Sequence, residues 1–367
     1  MERRLMQKKN KKVKVIITVL VVLIIFAVLS PILFSAYIYD SNFSERYETA
    51  PWVIRSLDEF DGLNRVRYSF QSNDGQNLVG YKYFKESDAM KGIIIIAHGL
   101  SDGGDDAYGD GGHNVYMNVA DYFTTNGYVV FAYDAAGTDE SEGNSIRGLP
   151  QGVVDLDYAI RFIKESGEFK DLPIMLFGHS WGAYSAASVL NIHPDVSAVV
   201  MGAGFNQSAQ MFVEEGSRAM GSDISPMAPL ISLVERIKFG IYASYSSIDG
   251  LAASDAGAMI IHSADDDMVS FQNNYLKFYD LYHRDPRFVF VRYEDRGHDY
   301  IFHSEASKAY RNQFNEAFDT YINSTGAEVN DELKTDFMEQ NGDKNKLYEL
   351  DSDLMARIVE FYDSHVN

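Results

Sequence analysis

Apolar and polar positions follow successive patterns along the 367-residue chain. Residues 15–39 form a run of 25 without a charge, dense in Val, Ile and Leu. As a helix rising ~1.5 Å per residue it would reach roughly 37 Å, enough to cross a hydrocarbon core of ~30 Å. Pro31 inside the run is compatible with a helix in lipid. Residues 40–64 read as an acidic connector with some aromatic content. Alternation with a period of two follows at 65–70 and 78–84, around Ser72, Asn73, Asp74 and Gly75, and predicts an antiparallel hairpin. From residue 92 short continuous apolar runs alternate with stretches of helical spacing. Strands are predicted at 92–97, 128–133, 172–177, 196–201, 258–262 and 287–293, and helices at 115–125, 153–165, 181–190 and 271–281. Unbroken apolar strands separated by helices predict an α/β fold with a mostly parallel central sheet and helices on both faces.

Two stretches depart from this alternation. Residues 207–256 carry no strand pattern but do carry Met211, Phe212, Met220, Met227, Leu230 and Ile237, and predict a short helical cap inserted between strands. After residue 303 the pattern is helical, with an extra segment at about 304–350 and a final helix at 354–362. The predicted organisation is a basic tail (1–14), an anchor (15–39), a connector (40–64) and a single body (65–367).

Composition narrows the classes available. With 46% hydrophobic and 23% charged residues the chain can bury a core. It has no cysteine, so disulfides, cysteine-ligated zinc and a cysteine nucleophile are excluded. The net charge of −21 is unevenly divided: seven basic residues and a single acid precede Val15, which leaves the body more acidic still. Phosphate contacts need clustered Lys and Arg, so nucleic acid is excluded as the main partner. The basic tail predicts a cytoplasmic N-terminus and an extracytoplasmic body on a single-pass cell-membrane anchor. A cleaved signal would have a shorter apolar core, of about 7–15 residues, and a small-residue cleavage site after it.

The sharpest chemical signal is Gly178, His179, Ser180, Trp181, Gly182, a G-x-S-x-G between a predicted strand and a predicted helix. On a tight turn there, the Ser180 hydroxyl would stand above the C-terminal edge of the sheet. A serine nucleophile needs a base, and the base an orienting acid. His298 follows the strand at 287–293, and Asp265, Asp266 and Asp267 follow the strand at 258–262, so both groups belong to the same edge.

Ser, Asp and His in that chain order, each after a strand, resemble the α/β-hydrolase superfamily. His98 and Gly99 after an apolar strand resemble its oxyanion-loop signature. Asp134, Gly137, Ser141 and Gly143 resemble its D-x-x-G-x-x-x-S-x-G loop, and His262, Asp266 and Val269 its H-G-x-x-D-x-x-V, with Ser263 in place of glycine. The chain is most similar to the monoacylglycerol-lipase and serine-aminopeptidase-like branch. The resemblance implies Ser180 as nucleophile, His298 as base and Asp266 as acid, although a register slipped by one selects Asp265. It implies backbone donors at Leu100 and Trp181 for the oxyanion, supported by His98, Gly99, Gly178, His179 and Gly182. It also implies a serine hydrolase acting on carboxylic esters, acyl or lipid-like, with no cofactor or metal. A serine peptidase of the aminopeptidase type is the alternative, with Glu214 and Glu215 receiving a substrate amine, and a non-catalytic surface protein on the same scaffold is a third. Residues 101–114, rich in Gly and Asp, lack EF-hand spacing and predict a loop at the site mouth rather than a calcium site. The stretch after His298 is longer than the family pattern has.

Overall fold

A computed structural model describes residues 2–86, 90–100 and 111–366 of the chain. The N-terminal helix α1 (Glu2–Asn42) contains the apolar run, and within it residues Lys11–Asn42 have a mean hydropathy of 3.1 over their most apolar stretch, long and apolar enough to cross a membrane. Its last turns leave the apolar exterior and enter the body, where Ser35, Tyr39 and, just past the helix, Phe43 are buried.

Eight strands form one sheet in the order β1-β2-β4-β3-β5-β6-β7-β8. The hairpin pairs β1 (Asn64–Gln71) with β2 (Asn77–Phe84), and its turn places Gly75 at φ 76°, a conformation glycine adopts without a Cβ clash. β2 also runs antiparallel to β4 (Val129–Asp134). The others, β3 (Ile93–Ala97), β4, β5 (Ile174–His179), β6 (Ala198–Gly202), β7 (Gly257–Ser263) and β8 (Phe288–Tyr293), run parallel. This is the mostly parallel α/β sheet that the apolar pattern predicts, in the arrangement that the resemblance implies.

Strands β3 to β7 are buried at every residue because helices cover both faces. The pleat divides their side chains between two cores. Ile93 and Ile95 pack with α3 (Gln151–Glu165) and α4 (Trp181–Ser188). Ile94 and Ile96 pack with α2 (Met117–Thr125) and with the C-terminal helix. Between β6 and β7 the chain forms three helices, α5 (Ser208–Met220), α6 (Ala228–Phe239) and α7 (Ser247–Ala253). Helix α8 (Tyr275–Tyr282) starts four residues later than its periodicity predicts. Residues 271–274 are turns instead, because Asn274 leaves helical geometry (φ −122°, ψ −74°) and its side chain accepts the Asn206 N–H at 3.0 Å.

Beyond β8 lie α9 (Glu305–Thr325), α10 (Asp331–Asn341), α11 (Lys344–Leu347) and α12 (Ser352–Asp363). The connector is not slack: Trp52 and Val53 form a third core with Phe314, Met338, Leu347 and Tyr348. The Lys334 ammonium lies 4.4 Å from the centre of the Trp52 ring, and the Arg55 guanidinium donates to Asn345 Oδ1 at 2.8 Å. The additional C-terminal helices thus receive the segment that leads from α1 into the sheet.

Candidate active site

Parallel register brings the candidate groups to one edge. Ala97 pairs with Gly178, His179 with Gly202, Gly202 with Ile261, and Ser263 with Tyr293. Residues 98–100, 180, 264–266 and 294–298 therefore all leave the sheet at its C-terminal side.

Ser180 sits at φ 51°, ψ −116°, between the end of β5 and the first turn of α4. A non-glycine residue in that region costs about 1–3 kcal/mol and persists only when its surroundings impose it. Here the Ser180 N–H donates to Gly202 O at 2.8 Å while α4 begins at the next residue. The flanking glycines are there for space: a Cβ on Gly182 would lie 1.9 Å from Ala97 O, and one on Gly178 would lie 2.4 Å from the Gly182 backbone. Trp181 is buried and its indole N–H donates to Leu149 O at 2.7 Å, which fixes the start of α4.

His98 holds the turn after β3. Its Nε2 accepts the Ala135 N–H at 3.0 Å, so Nδ1 carries the proton and donates to Gly99 O at 2.6 Å. The Gly99 N–H donates to the Tyr116 hydroxyl at 3.2 Å. Leu100, half-buried, is the last described residue before 101–110, so most of the acidic glycine-rich stretch lies outside the described residues.

His298 and Asp266 are buried and meet: His298 Nδ1 is 2.9 Å from Asp266 Oδ2. The other Asp266 oxygen accepts the backbone N–H groups of Met268 and Val269 at 2.9 and 2.8 Å. Burial pushes this carboxyl up, but hydrogen bonds from His262 and His298 outweigh it and hold Asp266 well below the usual carboxylate range. Asp265, its neighbour, is exposed and has different partners. It accepts from the Ser263 hydroxyl at 2.5 Å and the Gly297 N–H at 2.8 Å, closing the turn before His298. The His179 ring lies 4.9 Å from that of His298, centre to centre, and its Nε2–H donates to His298 O at 3.0 Å. The residue immediately before Ser180 is thereby packed on the imidazole. His365, by contrast, lies against Gly257 at the opposite end of β7.

Two features of the site were not read from the sequence. His262, noted only as part of a motif, places Nε2 at 3.0 Å from Asp266 Oδ2, so the carboxylate serves two imidazoles. Its spacing four residues before Asp266 was the available signal. The second is the connector's grip on the loop after β4. The Arg46 guanidinium donates to the carbonyls of Asp139, Ser141 and Gly143 at 2.6, 3.0 and 2.5 Å, and the Thr49 hydroxyl donates to Asp139 at 2.6 Å. Nothing local announces this, because the partners are some 90 residues apart in sequence.

A cavity of about 530 Å³ opens between α5 and the loop after β7. Val213, Glu214, Arg218, Asp266, Phe271 and Asn273 are among the residues that line it, so charged and apolar side chains share its walls. Glu214 accepts from the Asn273 amide at 2.9 Å, and burial raises its carboxyl above the ordinary range.

Sheet order, strand–turn–helix elbow and site location define an α/β hydrolase. The model of the family described as serine aminopeptidase, S33, matches residues 88–287, more than half of the chain, and the chain belongs to that family of hydrolases. A caffeoylshikimate esterase of Arabidopsis thaliana is 27% identical over 123 residues, which cover 33% of this chain and 34% of that enzyme. The chain thus matches about a third of the length of this curated relative. Among solved structures, a Pyrococcus furiosus esterase, Pf2001, superposes with a TM-score of 0.50 at 14% identity, over 76% of this chain and 98% of that one. The acylaminoacyl peptidase of Pyrococcus horikoshii does so with a TM-score of 0.48 at 16% identity, over 66% of this chain and 39% of its own. At 14% identity the esterase match describes a shared fold.

Proposed function

We propose that the protein is a membrane-anchored serine hydrolase that cleaves carboxylic esters through Ser180, His298 and Asp266. The observation that carries this reading is the combination of a strained Ser180 elbow and a buried His298–Asp266 pair at the same sheet edge, joined through His179. Ionised Asp266 accepts the Nδ1–H of His298, which leaves Nε2 as the basic nitrogen of the neutral ring. Ser180 Oγ attacks the ester carbonyl as its proton passes to Nε2, and the carbonyl π electrons move onto oxygen. The N–H groups of Trp181 and Leu100 stabilise that oxyanion, each worth roughly 10²–10³ in rate. Collapse of the intermediate expels the alkoxide, which takes the proton from His298, and water repeats the sequence on the acyl-enzyme.

The packing of α1 supports its retention as an anchor. Cleavage after the apolar run would remove Tyr39, which is fully buried and whose hydroxyl donates to the buried Glu235 at 2.9 Å. A discarded signal has no reason to supply a core residue to the mature domain. The seven basic residues before Val15 then keep the N-terminus cytoplasmic and the hydrolase body outside.

Glu214 supports a second reading, a peptidase of the aminopeptidase type, because its half-buried carboxylate lines the cavity beside Asp266 where a substrate amine would be held. One experiment serves both. Full-length protein should be labelled by a fluorophosphonate and should hydrolyse acyl esters faster than aminoacyl amides, and Ser180→Ala should abolish both labelling and turnover. Labelling with the substrate order reversed would favour the peptidase. A folded wild type that is not labelled would mean a non-catalytic protein.

A further inference from the structure

We propose that the outward face of α6 lies in the headgroup and upper acyl region of the same bilayer that α1 crosses, making the cap a lipid-contact surface. The inference rests on the anchored reading above and goes beyond it, since an anchor alone says nothing about where the cap points.

Depth is set by two contacts. Tyr39 is the last residue of the uncharged run and Asp40 the first charge after it. Both are fastened to α6: Tyr39 bonds Glu235, and the Asp40 carboxylate pairs with the Lys238 ammonium, which also lies 5.3 Å from the Tyr39 ring centre. The C-terminal half of α6 is therefore held at the level where the apolar span ends, which is the interface of the membrane that the span would occupy.

The exposed face of α6 has the wrong character for water. Its inward side is Ile231, Val234, Glu235 and Phe239, all buried. Opposite them stand Leu233 and Ile237, four residues apart on one face and 40% and 71% exposed, with Ile241 at 57% in the short turn that follows. The outward face of a helix on a soluble domain is ordinarily polar. These apolar side chains stand on a helix fastened to α1, whose own surface from Val15 to Phe34 is exposed and apolar. Arg236 is exposed beside Ile237, where a guanidinium can meet lipid phosphate, as basic residues do at the rim of interfacial helices. The occupant that fits an exposed apolar face held at the level where the apolar span ends is lipid.

The chain has no cysteine, so single cysteines can be introduced and labelled without background. Val22→Cys in α1, Ile237→Cys in α6 and Asn323→Cys in α9 would each carry an environment-sensitive fluorophore in full-length protein held in phosphatidylcholine nanodiscs. Spin-labelled lipid should quench positions 22 and 237, and aqueous iodide should quench position 323 several-fold more strongly than either. Lipid quenching at 22 together with iodide quenching at 237 would overturn the cap contact and leave the anchor intact. Absence of lipid quenching at 22 would overturn the anchor and the contact with it. Protection of 237 from both quenchers would mean that a second copy covers α6, and would overturn the lipid assignment.

Discussion

Asp265 and Asp266 are adjacent, alike in charge and unlike in surroundings. Asp266 is buried on His298 and His262, whereas Asp265 is exposed and ties Ser263 to Gly297. The division predicts distinct losses. Asp266→Asn replaces an acceptor-only group with an amide that can favour the wrong imidazole tautomer, and should lower kcat for ester hydrolysis by roughly 10³–10⁴. Asp265→Asn should keep kcat within about tenfold, since it loses only the support of a turn. Comparable losses in the two purified variants would contradict the assignment. Because Asp266 stays ionised far into the acid range, the acid limb of the rate profile should follow the imidazole rather than this carboxylate. The Ser180 elbow was readable from sequence because strand, turn and helix are contiguous there. Spacing alone left three consecutive aspartates open, and the resemblance pointed to Asp266 with Asp265 one register away, because a one-residue slip in a loop changes no periodicity and only the folded partners separate the two.

At the level of elements, the hairpin and the parallel strands follow directly from the spacing of apolar residues. What spacing did not reveal is the function of 40–64, whose Trp52 finds its partners Phe314 and Met338 in α9 and α10, more than 250 residues later. Such contacts leave only a composition trace, here the aromatic residues of an otherwise acidic connector. Trp52→Ala should empty a buried site and cost roughly 3–5 kcal/mol, the range for large-to-small aromatic changes in cores. Guanidinium unfolding should show that loss, and limited proteolysis should cut first within 305–347. A variant with an unchanged midpoint would mean that the third core contributes little to the fold.

For the molecule as a whole, Glu235 of α6 links α1 to the helices between β6 and β7. It accepts from Tyr39 of α1 and from Ser208 of α5, and burial, against those two bonds, raises its carboxyl to about 7. The folded protein thus holds this proton more tightly than the unfolded chain, whose glutamates titrate near ~4.3. The resulting stabilisation is complete below the unfolded value and is lost as pH rises through about 7. Glu235→Gln keeps the neutral hydrogen-bonding form at every pH. Wild-type Tm should therefore fall more steeply than that of E235Q between roughly pH 5 and 8, by the equivalent of up to about 3 kcal/mol. Parallel curves in scanning fluorimetry would refute a protonated Glu235. The sequence offered only a hint of this linkage, a single glutamate on the inward stripe of an apolar cap helix.

The same fastening bears on how the proposed enzyme would meet its substrate. From Tyr39 through Arg46 and Thr49 to Trp52 the chain is bound to the body at short intervals, so no stalk separates helix from catalyst. A domain on a flexible leash samples a volume of solution set by the leash. In the anchored reading this one samples an area. Its encounters with anything dissolved in the lipid are governed by lateral diffusion and by surface density, and dilution means adding membrane rather than adding water.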